Sequence, residues 1–566
     1  MLKGTAASDG IGIGRVMLIK EHSLEYTPKT VTDTEAELNR FRDAVAAFCD
    51  NTAKQAENLR QTAGEKEAEI LEGHIQMIDD PYMKGEIEKL ISDGKCAETS
   101  LEQICDMFIA MFSATEDELT IQRAADLRDI KTGILSILLG IKEVQISSAP
   151  KGTVLVANEL TPSMTAGINK ENIVGIITET GGETSHSAIL ARALEIPAVL
   201  SVSGAATTLS EGDQVIVDGC DGVVITAPDK EQLEHYDKKR EAFLTERREL
   251  ESYRGKKTVC ASGEEYELFC NIGKPDDALK ATEADGEGVG LFRTEFLFMD
   301  RTSLPTENEQ FEAYKKATLI LKGKPLIIRT LDIGGDKAIP YLGLEEEENP
   351  FMGFRAIRYC LKNRELFKAQ IKAILRASVF GDIRIMFPLV TTIDEFRAGK
   401  ALVEEAKSEL KATGDRFDEN IKVGVMMETS SAAVIADILA KEADFFSIGT
   451  NDLTGYTMAC DRGNSNVSYL YSPLQPSVLR LIKYIIESAV KNNKPVGMCG
   501  EAAANPMMIP LLISFGLTEF SVSAPSVLKV RKNISRWTKK CADDVAARVM
   551  SMSSVEEITD YLKTII

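Results

Sequence analysis

The segment DFFSIGTNDL, Asp444 to Leu453, is a short apolar run that stops abruptly on small and polar residues. Its aromatic and branched side chains suit a buried strand, and Asn451 and Asp452 stand where that strand would end. The pattern repeats on both sides, in YELFCNIG (266–273), GVGLFRTEF (288–296), PLIIRTLDIGG (325–335), IRIMFPLV (383–390), KVGVMMET (422–429), PVGMCGE (495–501) and EFSVSA (519–524). Segments with helical periodicity fill the gaps, as in FRAIRYCLKNRELFKAQIKAILRAS (354–378). About eight strand–helix units in roughly 300 residues predict a (β/α)8 TIM barrel over residues 259–566.

Such a barrel collects its reactive groups where the strands end. Arg293 follows GVGLF, Arg329 follows PLII with Asp332 and Lys337 just beyond, and Arg355 lies in NPFMGFRAIR. Glu428 ends KVGVMM, Asn451 and Asp452 end DFFSIGT with Arg462 after them in DRGN, and Cys499 ends PVGM. Glu428 and Asp452, from neighbouring strands, can hold one Mg2+, an ion that keeps waters and borrows oxygens from a phosphorylated ligand. Arginines around it suit a small polyanion, because guanidinium pairs bidentately with phosphate and carboxylate. One such arginine is most simply a rim ion pair; several at successive strand ends beside two carboxylates make an anion pocket. Cys499 taken alone is a packing residue, and at a strand end it becomes a candidate proton donor or nucleophile.

A second window, GGETSHSAILARALEIPAVL (181–200), carries His186, one of only four histidines. Ile189, Leu190, Ala193 and Leu194 recur at helical spacing, Pro197 ends the run, and Thr184 or Ser185 is a candidate N-cap. His186 then falls in the first turn of a helix, where free N–H groups and the positive dipole end keep an imidazole neutral and stabilise an attached phosphoryl group. Thr184 or Ser187 is a candidate partner for the other ring nitrogen, fixing the tautomer. By itself the window reads more simply as a solvated cap-region histidine.

The remaining chain divides by pattern. Residues 30–143 read as nearly all helix, with Leu101, Ile104, Cys105, Phe108, Ile109 and Phe112 on one face and Ile70, Leu71, Ile75 and Ile78 on another. Residues 144–227 hold short β-rich runs punctuated by Gly, a small α/β domain that the N-terminal run IGIGRVMLI (11–19) could join, making the helical region an insertion. Residues 228–258 are highly charged and read as a solvated connecting helix. The glycines of GIGIG (10–14) lack the spacing of a dinucleotide loop, and no GxxxxGK[ST] occurs. With 66 basic against 87 acidic residues and a net charge of −21, the chain is not expected to bind nucleic acid or an anionic membrane. No run approaches the ~18 apolar residues of a membrane span, and no signal-peptide core is evident. Ten scattered cysteines without metal spacing suit a reducing cytoplasm.

On the stretches TSHSAILARALEIPAV, AADLRDI, GVGLFRTEFLFMDR, RTLDIGGDK, GFRAIR, SIGTNDLTGYTMACDRGN and GMCGE, the chain resembles enzyme I of the bacterial phosphoenolpyruvate-dependent sugar phosphotransferase system, from end to end. The resemblance implies that His186 is phosphorylated and that Arg293, Arg329, Lys337, Arg355, Asn451 and Arg462 surround phosphoenolpyruvate. It implies Mg2+ on Glu428 and Asp452, and Cys499 as the acid that turns the enolate into pyruvate. It implies that residues 1–29 with 144–227 form a swivelling phosphohistidine domain, that the helical insertion docks the carrier protein HPr, and that the barrel forms a homodimer. Three positions depart from the family pattern: Glu183 where a basic residue is usual, Met164 where Asp is usual, and Gly455 where Gln is common. A carboxylate near His186 would raise its pKa and repel a phosphoryl group. The departures keep open a protein that senses phosphoenolpyruvate but transfers phosphate poorly. A branch serving nitrogen regulation would carry an extra N-terminal sensory domain, which has no room before residue 30. His74 and the acidic residues of the helical region are candidate HPr contacts.

Overall fold

The computed structural model describes the chain except residues 20–23, 63–64, 115–117, 142–145, 162–163, 165–167, 183–184, 300, 335–338 and 345–346. The side chains of a few helical residues, His186 among them, also lie outside the description. Two compact units result, Met1–Arg247 and Arg248–Ile566. Among the described residues no helix is long and apolar enough to cross a membrane.

The first unit is built on an eight-stranded mixed sheet: β1 (Leu2–Lys3), β2 (Thr5–Ser8), β3 (Ile11–Leu18), β4 (Thr153–Ala157), β5 (Ile173–Thr178), β6 (Ala198–Leu200), β7 (Gln214–Asp218) and β8 (Val223–Thr226). Their order is β1-β8-β7-β3-β4-β5-β6-β2. β4 is buried along its whole length, as a central strand covered on both faces must be. β1 pairs with β8 at one edge, and β2 with β6 at the other, with only Gly4 between them. The glycines of GIGIG serve packing: a Cβ on Gly12 would lie 2.0 Å from the carbonyl oxygen of Val174, and one on Gly14 2.3 Å from that of Gly152.

Between β3 and its parallel neighbour β4 the chain leaves the sheet for five long helices, Thr34–Thr62, Glu65–Ile78, Pro81–Ser92, Ala97–Ser113 and Glu118–Leu139. Phe41, Ile87, Leu101, Ile104, Leu127 and Ile134 form their common core. Phe108, Ile109 and Phe112 pack against it only partly buried. The charged helix Lys230–Glu251 has no buried residue; within the first unit Lys239 holds it to the buried carboxylate of Asp218 at 2.5 Å.

The second unit is a closed barrel of eight parallel strands, β9 (Glu267–Ile272), β10 (Val289–Arg293), β11 (Leu326–Arg329), β12 (Ile383–Phe387), β13 (Lys422–Met427), β14 (Phe446–Ile448), β15 (Val496–Met498) and β16 (Glu519–Val522). Helices follow the strands, as the alternating pattern predicts. The interior is mostly apolar, with Leu291, Ile327, Met386, Met426 and Phe445 in contact beside Cys499. Towards the strands' N-terminal ends it turns ionic. Burial, then the charge of Glu267, push the Glu519 carboxyl up to about 8, with Arg384 opposing. A carboxyl raised in the folded state binds more protons folded than unfolded, so this contribution is present below the ordinary carboxylate range and is lost as pH rises to about 8. Denaturation midpoints taken from pH 5 to pH 9 are therefore expected to fall, and in Glu519→Gln to fall less.

Candidate active site

The C-terminal ends of the strands bring five of the expected residues into one electrostatic cluster. Arg329, the last residue of β11, is buried; its Nη2 meets Glu295 Oε1 at 2.7 Å and its Nη1 meets Asp332 Oδ2 at 3.0 Å. Arg355, also buried, meets Asp332 Oδ1 at 2.7 Å and Asp452 Oδ2 at 3.6 Å through Nη2. Its Nη1 donates to the Tyr456 hydroxyl at 3.4 Å, and that hydroxyl donates to the carbonyl of Phe351. Asp332 thus bridges two guanidinium groups. Burial opposes both charges, yet the carboxylates around them outweigh it and raise both pKa values.

Glu428 follows β13 and is buried; its Oε1 accepts from the Leu389 N–H at 2.7 Å. Leu389 holds a left-handed backbone, φ 54°, a conformation that costs a leucine energy and is retained where surrounding structure enforces it. Burial, then Asp452 and Asp332, push the Glu428 carboxyl up to about 8 against the pull of Arg329 and Arg355. A divalent cation relieves that kind of crowding. Among the described residues no three His, Cys, Asp or Glu gather as a metal cage; a Mg2+ held by two carboxylates, waters and ligand oxygens needs none. The residues present fit that ion.

Cys499 follows β15, 7% exposed. Burial raises its thiol to about 11, with Ser447 and Arg329 pulling down. The thiol therefore carries its proton at neutral pH, as an acid must before it acts.

The other expected residues stand further out. Arg293 ends β10 beside Arg329 in register, but its side chain is exposed and lies over the Phe296 ring at 5.1 Å. Asn451 sits in the first turn of the helix Thr450–Met458, its carbonyl accepting from Tyr471 at 3.0 Å. Arg462 is exposed in the loop after that helix, and its charge acts on Tyr471. Lys337 lies outside the described residues, as do Glu183 and Thr184.

In the first unit, Ser185 caps the helix His186–Leu194, accepting from Ala188 N–H at 3.3 Å, so His186 is the helix's first residue. Ser187 spends its proton on the Leu160 carbonyl at 3.2 Å. Met164 packs half-buried against the core that includes Ala188 and Ala191. Gly455 has little room for more: a Cβ would lie 3.3 Å from the Cys460 carbonyl. One expectation is corrected. His74 is 1% exposed, between Asp126 at 3.5 Å and Asp129 at 3.9 Å. A ring so enclosed cannot serve as a docking contact.

Sequence reading also overlooked Glu295, whose carboxylate neutralises Arg329. Its signal lies two residues after Arg293 in FRTEF, an acid placed beside a strand-end arginine.

Known proteins match part by part. The family described as "PEP-utilising enzyme, PEP-binding domain" matches residues 247–539, "PEP-utilising enzyme, N-terminal" matches 3–123, and "PEP-utilising enzyme, mobile domain" matches 149–222. The phosphoenolpyruvate-protein phosphotransferase of Listeria innocua is 46% identical over 563 residues, 99% of this chain and 98% of the relative. That of Bacillus subtilis is 45% identical over 563 residues, 99% of each chain. That of Staphylococcus carnosus is 44% identical, over 99% of this chain and 98% of its own.

Proposed function

We propose, from the premise that this chain belongs to the phosphoenolpyruvate-protein phosphotransferase family, that it moves the phosphoryl group of phosphoenolpyruvate first to its own His186 and then to a histidine of HPr. The observation that carries this reading is the pair of buried guanidinium groups, Arg329 and Arg355, facing the carboxylates Glu428 and Asp452 at one end of the barrel. Phosphoenolpyruvate presents a carboxylate and a phosphate close together, and both need cationic partners fixed in place before the P–O bond breaks. Arg329 and Arg355 are held by acids, so they do not reorganise when negative charge grows on the enolate oxygen. Arg293, Asn451 and Arg462 complete the grip from the rim, and Lys337 belongs to the same substrate-binding set. A Mg2+ on Glu428 and Asp452 would supply further charge neutralisation at the phosphate when bound.

His186 attacks phosphorus in line as a neutral imidazole, and the enolate carbon takes its proton from Cys499. HPr then accepts the phosphoryl group, which makes the reaction the first step of sugar uptake. In this scheme residues 1–29 with 144–227 carry the phosphohistidine, 30–143 dock HPr, 228–258 connect, and 259–566 bind phosphoenolpyruvate and form the homodimer. The histidine must visit two chemically different sites in each cycle, so its domain swivels. The setting is the cytoplasm.

Incubation with labelled phosphoenolpyruvate, Mg2+ and HPr tests the scheme. Acid-labile label on HPr with one pyruvate per label supports it. Label that stops on the enzyme would remove HPr as the acceptor. Glu428→Gln, which keeps the shape and removes the charge, is expected to raise the Mg2+ concentration for half-maximal activity by about 10- to 100-fold. An unchanged requirement would move the cation elsewhere.

A further inference from the structure

The proposed chemistry makes no use of β9 and β16, yet these two strands carry side chains bonded to each other and to Cys499. Asn271, next to last in β9, donates through Nδ2 to the Cys499 carbonyl at 3.0 Å and to the Ser521 carbonyl at 3.3 Å. Ser521 Oγ, on β16, donates to Asn271 Oδ1 at 2.7 Å. The partners dictate how the amide is turned, because two carbonyls can be met only by its NH2 group. Ser521 is fully buried, and Gly290 on β10 leaves room for its hydroxyl: a Cβ there would lie 2.5 Å from Ser521 Oγ. The Cys499 backbone is thereby held on both sides. Its N–H donates to the Ile448 carbonyl at the end of β14 at 3.1 Å, and its own carbonyl takes the Asn271 amide. At the next residue, Gly500, a Cβ would lie 1.8 Å from Thr450 Oγ1, so the chain is seated against the start of the helix that carries Asn451 and Asp452. The thiol itself is held loosely, donating to the Ile448 carbonyl at 3.7 Å, and S–H is a weak donor. A fixed backbone under a loosely held thiol leaves it one motion, rotation about its Cα–Cβ bond.

We propose, resting on the assignment of Cys499 as the acid, that Asn271 is a positioning residue: it fixes the Cys499 carbonyl so that the thiol meets the enolate from one face only. In that step the Cys499 S–H bond breaks, a C–H bond forms at the enolate carbon, and the thiolate left behind takes a proton from water before the next turnover. Asn271 acts through the backbone of Cys499 and touches no reacting atom. Ser521 in turn holds the Asn271 amide with its NH2 group towards Cys499. An acid that swings on a fixed pivot protonates one face of the flat enolate. An acid whose pivot drifts reaches the carbon less often, and solvent water then protonates it from either face. Displacing a catalytic group by about 1 Å can cost about 100-fold in rate. The anion-binding arginines stand on other strands, so substrate affinity is left nearly as it was.

The handedness of protonation tests this. Phosphoenolpyruvate with deuterium at one of its two vinylic positions, turned over in tritiated water with Mg2+ and HPr, yields pyruvate with a chiral methyl group when one face is protonated. The parent protein is expected to give one hand in excess. Asn271→Ala is expected to lower kcat about 10- to 100-fold, to leave the KM for phosphoenolpyruvate within about threefold, and to give nearly racemic methyl groups. Ser521→Ala, which frees the Asn271 amide to turn, is expected to move kcat and handedness the same way by a smaller factor, and it keeps the test informative if Asn271→Ala folds poorly. Slowing with the handedness kept in both variants would make Asn271 a scaffold residue and overturn the proposal, as would no slowing in either. Cys499→Ala is expected to lose rate and handedness together. If it keeps both, the assignment of Cys499 falls, a failure distinct from that of Asn271.

Discussion

A chain carrying His186→Ala is expected to take up no acid-labile phosphate from phosphoenolpyruvate, and phosphoenolpyruvate-dependent labelling of HPr is expected to fall by at least about 10^4-fold, since in the proposed scheme the nucleophile itself is gone. The helix should survive the change. Its cap is Ser185, and its buried face is Ala188, Leu190, Ala191 and Leu194, none of which depends on residue 186. The dipole at that helix start stays in place too, so what disappears is only the lone pair. Helical content by circular dichroism should match the parent, and phosphoenolpyruvate binding by calorimetry should be retained because the anion site lies on the barrel. Label persisting on the variant protein would place the phosphoryl acceptor at another residue.

The second large effect concerns Arg329→Met. That side chain stands between Glu295 and Asp332, both buried. Removing one partner of a buried ion pair leaves uncompensated charge and costs about 3–5 kcal/mol of stability. In the proposed scheme the substrate also loses a fixed cation where negative charge grows, so kcat/KM is expected to drop by about 10^3-fold or more. The double variant Arg329→Met with Glu295→Gln tells the two losses apart. It is expected to recover much of the denaturation midpoint and none of the activity. Recovery of both would reduce Arg329 to a scaffold residue.

Why some of this was legible in sequence and some not follows from the physics of each element. The barrel strands are apolar runs with polar ends, a pattern that local order alone creates, so Glu428, Asp452, Arg329, Arg355 and Cys499 could be placed at one rim before any coordinates. The helix after Ser185 was also legible, but which side it buries was not. Ile189 and Ala193 are exposed, while Ala188 and Ala191 turn inward with Leu190 and Leu194. Apolarity marks which residues can be buried, and with small residues on both faces it does not say which face is. His74 failed for the converse reason: a polar residue on a helix was assigned to solvent, and it lies in the core. Glu519 was invisible because its meaning is a pairing with Glu267 and Arg384, on strands far apart in sequence.

The N-terminal eight residues supply both edge strands of the first unit's sheet, β1 against β8 and β2 against β6. Very short edge strands blunt a sheet's borders, where each unpaired backbone row is a template for a passing chain. Trimming these residues would bare β8 and β6 in one cut, and the first consequence to watch for is self-association.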